Sequence, residues 1–352
     1  MKKETGKLIK KRSALTVAAV YMGTVVGAGF ASGQEILQFF GYFGLWGMAG
    51  LALATFLFGF FGAKIMLLAY RIKATSFKGV VDAVGGRYLG PLINFFITFF
   101  LFGILVAMVA GTGAIFQQEF GLPPAFGLAI MAALSALTVI AGLSRVVDTI
   151  SAVVPFLIAA VLGVGLYILL SAPVDLSWSS PAGATLPHWP LSGLAYVSYN
   201  FTLAVPLLAP LGTLTGPQAL QKGAYLGALG LGVCALVILL ALLAGAPAVT
   251  GFEIPMLAVA GRASPLVRLA YTLVLAAEIY TTAISSLYGF ISRLAPAGSF
   301  WFKPLTVLVA AASFFAGRLG FAKIVATVYP AMGLAGFFFL AALAYSIFIR
   351  RW

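Results

Sequence analysis

Ten stretches of this chain, at approximately 13–40, 44–70, 89–117, 123–142, 145–170, 191–214, 218–244, 265–294, 302–316 and 321–349, are apolar and almost free of charge. A helix rises 1.5 Å per residue, so about 20 apolar residues cross a hydrocarbon core of about 30 Å. Inside that core no water is at hand to satisfy the backbone, and only helices and closed barrels keep their polar groups paired. Runs of this length predict helices. The composition agrees, with 62% hydrophobic and 8% charged residues and a mean hydropathy of +1.10, where soluble domains carry about 25% charged residues. The expected fold class is an all-α membrane protein of ten transmembrane helices, without enzymatic activity.

The formal net charge of +13 would suggest a nucleic-acid partner in a soluble protein. Here the distribution of the basic residues points to topology and to the lipid bilayer as the partner. Threading ten spans with the N-terminus inside puts sixteen Lys and Arg on the cytoplasmic side, and Arg262, Arg268, Arg318 and Lys323 outside. Cytoplasmic segments are the ones enriched in Lys and Arg, so the chain is expected in a bacterial inner membrane with both termini cytoplasmic. The basic stretch 1–12 resembles the start of a signal peptide, but the apolar run behind it is too long and lacks a small-residue cleavage site. It is therefore expected to stay as a tail. The loop 71–90, with Phe77, Val80, Val81 and Val84 near helical spacing, is expected to lie along the membrane surface. One cysteine, Cys234, and one histidine, His188, leave no disulfide framework and no His-rich metal site.

Ten spans divide into two sets of five, and because five is odd the two sets have opposite orientation, an arrangement common in secondary transporters. The expected organisation is a first repeat at 13–170, an external loop at 171–190, a second repeat at 191–349 and a cytoplasmic end at 350–352. Span one is interrupted near its middle by Gly27, Gly29, Ala31, Ser32 and Gly33. Its counterpart, span six, carries Tyr199, Asn200 and Thr202 in mid-span, followed by Pro206 and Pro210. Both are expected to be broken at mid-membrane, where unpaired backbone is tolerated only if it lines a cavity or meets a ligand. Small residues at helical spacing also permit close helix packing, the alternative reading of the glycines.

Two of the eight acids, Glu35 and Glu278, fall inside spans. A carboxylate costs about 2.5 kcal/mol or more at the bilayer centre, which makes each a functional candidate, either as a proton carrier or as a seat for an ammonium group. The alternative is a protonated acid that pins two helices. Thr281, Thr282, Ser285 and Ser286 on the same span as Glu278 offer hydroxyl oxygens, suited to sodium or to ordinary interhelical hydrogen bonds. Arg145 and Asp148 form either part of an inside gate or a salt bridge at a helix end. No Walker-type glycine loop, HExxH pair or GxSxG elbow occurs, which argues against nucleotide hydrolysis and against protease or lipase chemistry.

The segment Gly23-Thr24-Val25-Val26-Gly27-Ala28-Gly29-Phe30-Ala31-Ser32-Gly33-Gln34-Glu35, with a weaker echo in Tyr196-Val197-Ser198-Tyr199-Asn200, resembles the YkvI-type membrane proteins. The topology resembles the LeuT-like architecture of the amino acid-polyamine-organocation superfamily. That resemblance implies a substrate held between spans one and six, with backbone near Gly29, Ala31, Ser32 and Gly33 receiving an anionic group. It also implies a sodium position formed by the carbonyls of Gly23 and Val26 with Thr282 and Ser285 or Ser286. Some proton-driven relatives place a lysine on span five in that position, and this chain has none there. It departs from the pattern at Glu35, where relatives carry a gate arginine, which shifts the expected substrate from a small amino acid toward an amine. The expected function is secondary transport by alternating access, coupled to sodium or protons. A passive channel or facilitator and a non-transporting sensor are the alternatives.

Overall fold

The computed structural model describes residues 13–184, 186–246, 248–250 and 255–349. The predicted tail 1–12, Glu253 and the end 350–352 lie outside the described residues. The elements are helical throughout: α1 (Ala14–Val25), α2 (Ala28–Ala31), α3 (Gln34–Phe39), α4 (Leu45–Arg71), α5 (Phe77–Phe120), α6 (Pro124–Ile140), α7 (Leu143–Ser171), α8 (Trp189–Leu211), α9 (Pro217–Gly245), α10 (Pro255–Ala263), α11 (Pro265–Leu294), α12 (Phe302–Gly317) and α13 (Phe321–Phe348). Among the described residues, six helices, α4, α5, α7, α8, α9 and α11, are long and apolar enough to cross a membrane, while Ala14–Val25, Pro124–Ile140 and Phe302–Gly317 are shorter apolar helices.

Local chemistry sets the ends. Ser13 caps α1 by accepting from the Thr16 amide at 3.1 Å, and Ser264 caps α11 by accepting from Val267 at 3.1 Å. Each supplies an oxygen to an amide that has no helical partner. Pro124, Pro217 and Pro265 open α6, α9 and α11, where a missing N–H costs nothing.

The core is built around α8. Residues 195–211 of this helix are all buried, and a helix apolar on every side belongs in the interior. α1 packs against α9, α7 and α8, α4 against α9 and α8, and α5 against α11, α13 and α8. Exposed apolar side chains such as Phe56, Phe95, Phe126, Phe156 and Leu266 point outward, as lipid-facing positions must.

Two expectations are corrected. Span six is not broken: α8 runs as a single helix through Pro206 and Pro210. Proline removes one ladder donor each time, but its fixed φ is itself helical, and the fully packed surroundings hold the rest of the ladder. The loop 71–90 does form helix from Phe77, yet Phe77, Val80, Val81 and Val84 are buried in the protein core and do not lie on the bilayer surface. The apolar face that suggested lipid is covered by protein. At Gly86 (φ 62°, ψ −160°) the chain turns between this first segment of α5 and the rest, a conformation essentially restricted to glycine.

On the opposite end the loop after α7 docks onto the turn Gly41–Phe43. Ser180 donates its amide to Tyr42 O at 2.9 Å, and Trp178 packs on Tyr42 with ring centroids 5.9 Å apart. Asp175 organises this loop by accepting from the Ser177 hydroxyl, the Ser177 amide and the Trp178 amide, and these donors hold its carboxyl below the usual range.

Candidate functional site

Span one is interrupted twice. α1 ends as Val26 turns extended (φ −71°, ψ 118°), and Gly33 (φ 79°) separates α2 from α3. The single turn between, Ala28–Ala31, lies where continuous unwinding was expected. Its polar groups are largely spent locally: Ala31 N donates to Gly27 O (2.9 Å), Gly33 N to Phe30 O (3.0 Å), Ser32 Oγ to Gly29 O (2.9 Å), and Gln34 N to Ser32 Oγ (3.2 Å). Neighbouring elements take other carbonyls, with Tyr271 donating its hydroxyl to Ala31 O (2.7 Å) and Met256 its amide to Ser32 O (2.8 Å). Ala31 N and Gly33 N, in the stretch expected to receive an anion, are therefore occupied.

What the break presents instead is a carboxylate. Glu35, in the first turn of α3, is buried, and Oε1 accepts from the Tyr199 hydroxyl of α8 at 2.7 Å, while Oε2 has no protein partner. The carboxylate lies flat against Gly29, where an added Cβ would come within 1.9 Å of Oε1. Only glycine leaves that space. Aromatic rings pack beside Tyr199: Phe39 stacks on Tyr199 (6.4 Å, 7°), and Tyr196 meets Phe39 at 5.3 Å and Phe40 at 5.1 Å, with its own hydroxyl buried and unpartnered. A buried carboxylate with one oxygen unpartnered suits a cation by charge.

The other residues divide by location. Gly27 lies beside Thr282, whose hydroxyl donates to Val26 O at 3.3 Å, and Ser285 Oγ donates to Thr282 O at 2.9 Å, with Ser286 buried nearby on α11. The Thr282 hydroxyl thus joins α11 to the end of α1 at Val26 O, while the Ser285 hydroxyl turns back on its own helix. Gly23 is pressed against α7, where an added Cβ would meet Ile150 at 2.3 Å and Val154 at 2.8 Å, so its small size serves packing. Asn200 and Thr202 are buried and turn back on α8, donating to Tyr196 O (2.8 Å) and Ser198 O (3.2 Å). The Asn200 Oδ1 keeps no partner. Glu278 is fully buried, with Thr281 Oγ1 3.4 Å from Oε2 and no partner for Oε1, and it lies within electrostatic range of Tyr271 and Cys234. Arg145 and Asp148 are exposed at the start of α7 and form no ion pair with each other among the described residues.

Tyr271 and Met256 complete the site without having been singled out in the sequence, and Tyr196, noted there only within the span-six echo, joins them. Tyr271 falls seven residues before Glu278 on the same helix, and that spacing is the signal that could have found it.

No model of a known protein family matches the chain. Among solved structures it superposes on a Na+-coupled sialic acid symporter with a TM-score of 0.69 at 14% identity, covering 97% of this chain and 80% of that one. MhsT in complex with L-phenylalanine gives 0.62 at 16% (95% and 88%), and Mhp1, a nucleobase-cation-symport-1 family transporter, 0.59 at 16% (97% and 80%). The fold is thus that of the LeuT-like membrane transporters. In sequence the chain is 31% identical over 340 residues to the uncharacterized membrane protein YkvI of Bacillus subtilis (strain 168), covering 95% of this chain and 96% of that protein, and 28% identical over 348 residues to YyaD of the same organism (97% and 99%). The chain belongs to the YkvI family of membrane proteins.

Proposed function

We propose that the protein is a secondary active transporter of a small amine or cationic amino acid, working by alternating access. The observation that carries this reading is Glu35: a buried carboxylate at a break in span one, bound through one oxygen to Tyr199 of α8 and open at the other, with Phe39 stacked on that tyrosine. A substrate ammonium would take the open oxygen. The architecture behind the proposal is ten spans in two inverted sets of five, with α1 to α3 as the first span, α8 as the sixth and both termini cytoplasmic. Rocking of α1 to α4, α8 and α9 against the rest would open the site to each side in turn.

Coupling by sodium is supported by the contact of the Thr282 hydroxyl with Val26 O, with Ser285 one turn along α11, by the absence of a lysine from α7 and by the likeness in fold to a Na+-coupled symporter. Glu278 is the second coupling candidate, for a proton. Uptake by purified protein in proteoliposomes, screened over amines and amino acids with imposed sodium and pH gradients, tests the reading. Saturable, gradient-driven accumulation and counterflow are expected; flux that neither saturates nor exchanges would make the protein a passive facilitator, and binding without flux a sensor. Thr282→Ala with Ser285→Ala should raise the sodium concentration for half-maximal uptake about tenfold, as loss of one good oxygen contact implies. An unchanged sodium dependence removes these hydroxyls from the mechanism.

A further inference from the structure

A second polar site lies away from the break, at the end of the bundle where α4 passes into α5 and α11 ends. An open cleft of about 430 Å³ is lined there by Lys78, Asp82, Gly86, Arg87, Asn94 and Arg293. Three cations face one carboxylate, and that carboxylate is already committed: Asp82 is paired with Lys78 and accepts from Asn94 Nδ2 at 2.6 Å. The remaining positive charge has no acid among the lining residues to neutralise it. Behind this lining Arg293 Nε is buried without a hydrogen-bond partner, so the Arg293 guanidinium is not fully engaged by the protein. A guanidinium with hydrogen-bonding capacity to spare is well suited to a phosphate oxygen, which it meets through charge-assisted hydrogen bonds. Backbone geometry adds to this, because the long helical segment after Gly86 begins at the cleft and turns the positive end of its dipole toward it.

We propose that this cleft binds a phosphate-bearing anion, and that its source is the headgroup of an acidic phospholipid. The argument for lipid is the wall below it. On the adjoining face of α5, Tyr88, Leu89, Leu92 and Phe95 are exposed at 85%, 45%, 44% and 66%, a helically spaced apolar strip along which acyl chains can run. Basic clefts between helices at the cytoplasmic face suit acidic headgroups. The lipid source rests on the proposed orientation, which puts the connection between α4 and α5 on the cytoplasmic side, but not on transport, since the site is tested by binding alone.

Purified full-length protein in detergent is titrated with phosphatidylglycerol, with phosphatidylcholine and with inorganic phosphate, and adducts are followed by native mass spectrometry. Phosphatidylglycerol is expected to bind in preference to phosphatidylcholine, with Arg87→Gln weakening it about fivefold and Arg87→Gln with Arg293→Gln about twenty-fivefold, as two surface cations imply. Arg87 is exposed, so its single variant keeps the test decisive if the double variant folds poorly. Binding of inorganic phosphate that competes with phosphatidylglycerol and falls with Arg87→Gln would keep the anion site and reassign its source to the soluble phase. Equal binding of both lipids with no loss in Arg87→Gln overturns the proposal.

Discussion

At the scale of single residues, the site turns on the contact between Glu35 and Gly29. Glu35→Gln removes the charge and keeps the shape, and is expected to cut uptake about 100-fold or more, the order lost when one member of a buried charge pair is removed, with little change in thermal midpoint. Tyr199→Phe deletes one hydrogen bond to that carboxylate and should weaken apparent substrate affinity about tenfold or more. Gly29→Ala is the sharper test. Gly29 sits in the helical turn of α2, so alanine suits its backbone, yet the new methyl would displace the carboxylate that lies 1.9 Å from that position. Gly29→Ala should therefore mimic Glu35→Gln, and the double variant should be no worse than either single one; additive losses in uptake would separate the two residues. The sequence showed that Glu35 was an acid in the wrong solvent. It did not show the partner, because Tyr199 is 164 residues away and the pairing is made by the crossing of α3 with α8. Nor did it show that the turn Ala28–Ala31 would consume the amides expected to hold an anion.

At the scale of elements, the two interruptions read from the sequence had different fates for a physical reason. Span one has Gly33 at a positive φ and Val26 extended, and no helix continues through either. Span six has prolines, whose fixed φ is compatible with a helix although each removes a donor and crowds the carbonyl four residues before it. Pro206→Ala is thus expected to leave the thermal midpoint unchanged or raise it, by restoring a donor to the Thr202 carbonyl; a large fall would mean that the proline itself shapes α8. Gly86→Ala should do the opposite, destabilising by roughly 1–3 kcal/mol because its φ and ψ are closed to alanine, and would be seen as a lowered midpoint in detergent. The long apolar helices were legible to within a few residues, the 44–70 stretch being α4 at Leu45–Arg71. The first segment of α5 was legible as a helix but not as a buried one, since an apolar stripe looks alike whether lipid or protein covers it.

At the scale of the whole molecule, the proposed orientation is open to direct test because the one cysteine, Cys234, is buried in α9 and leaves a silent background. A cysteine at exposed Ser179, in the loop after α7, should react in whole cells with a membrane-impermeant maleimide. One at exposed Thr75, between α4 and α5, should react only after permeabilisation. The reverse pattern would invert the topology. The bond from the Met256 amide to Ser32 O ties α10 to the break in span one. That amide is consequently a clock for the proposed alternating access: its hydrogen exchanges with deuterated solvent only during the fraction of time in which α10 has let go of the break. A transported substrate that lengthens the closed state should slow the exchange of this one proton, whatever the substrate proves to be.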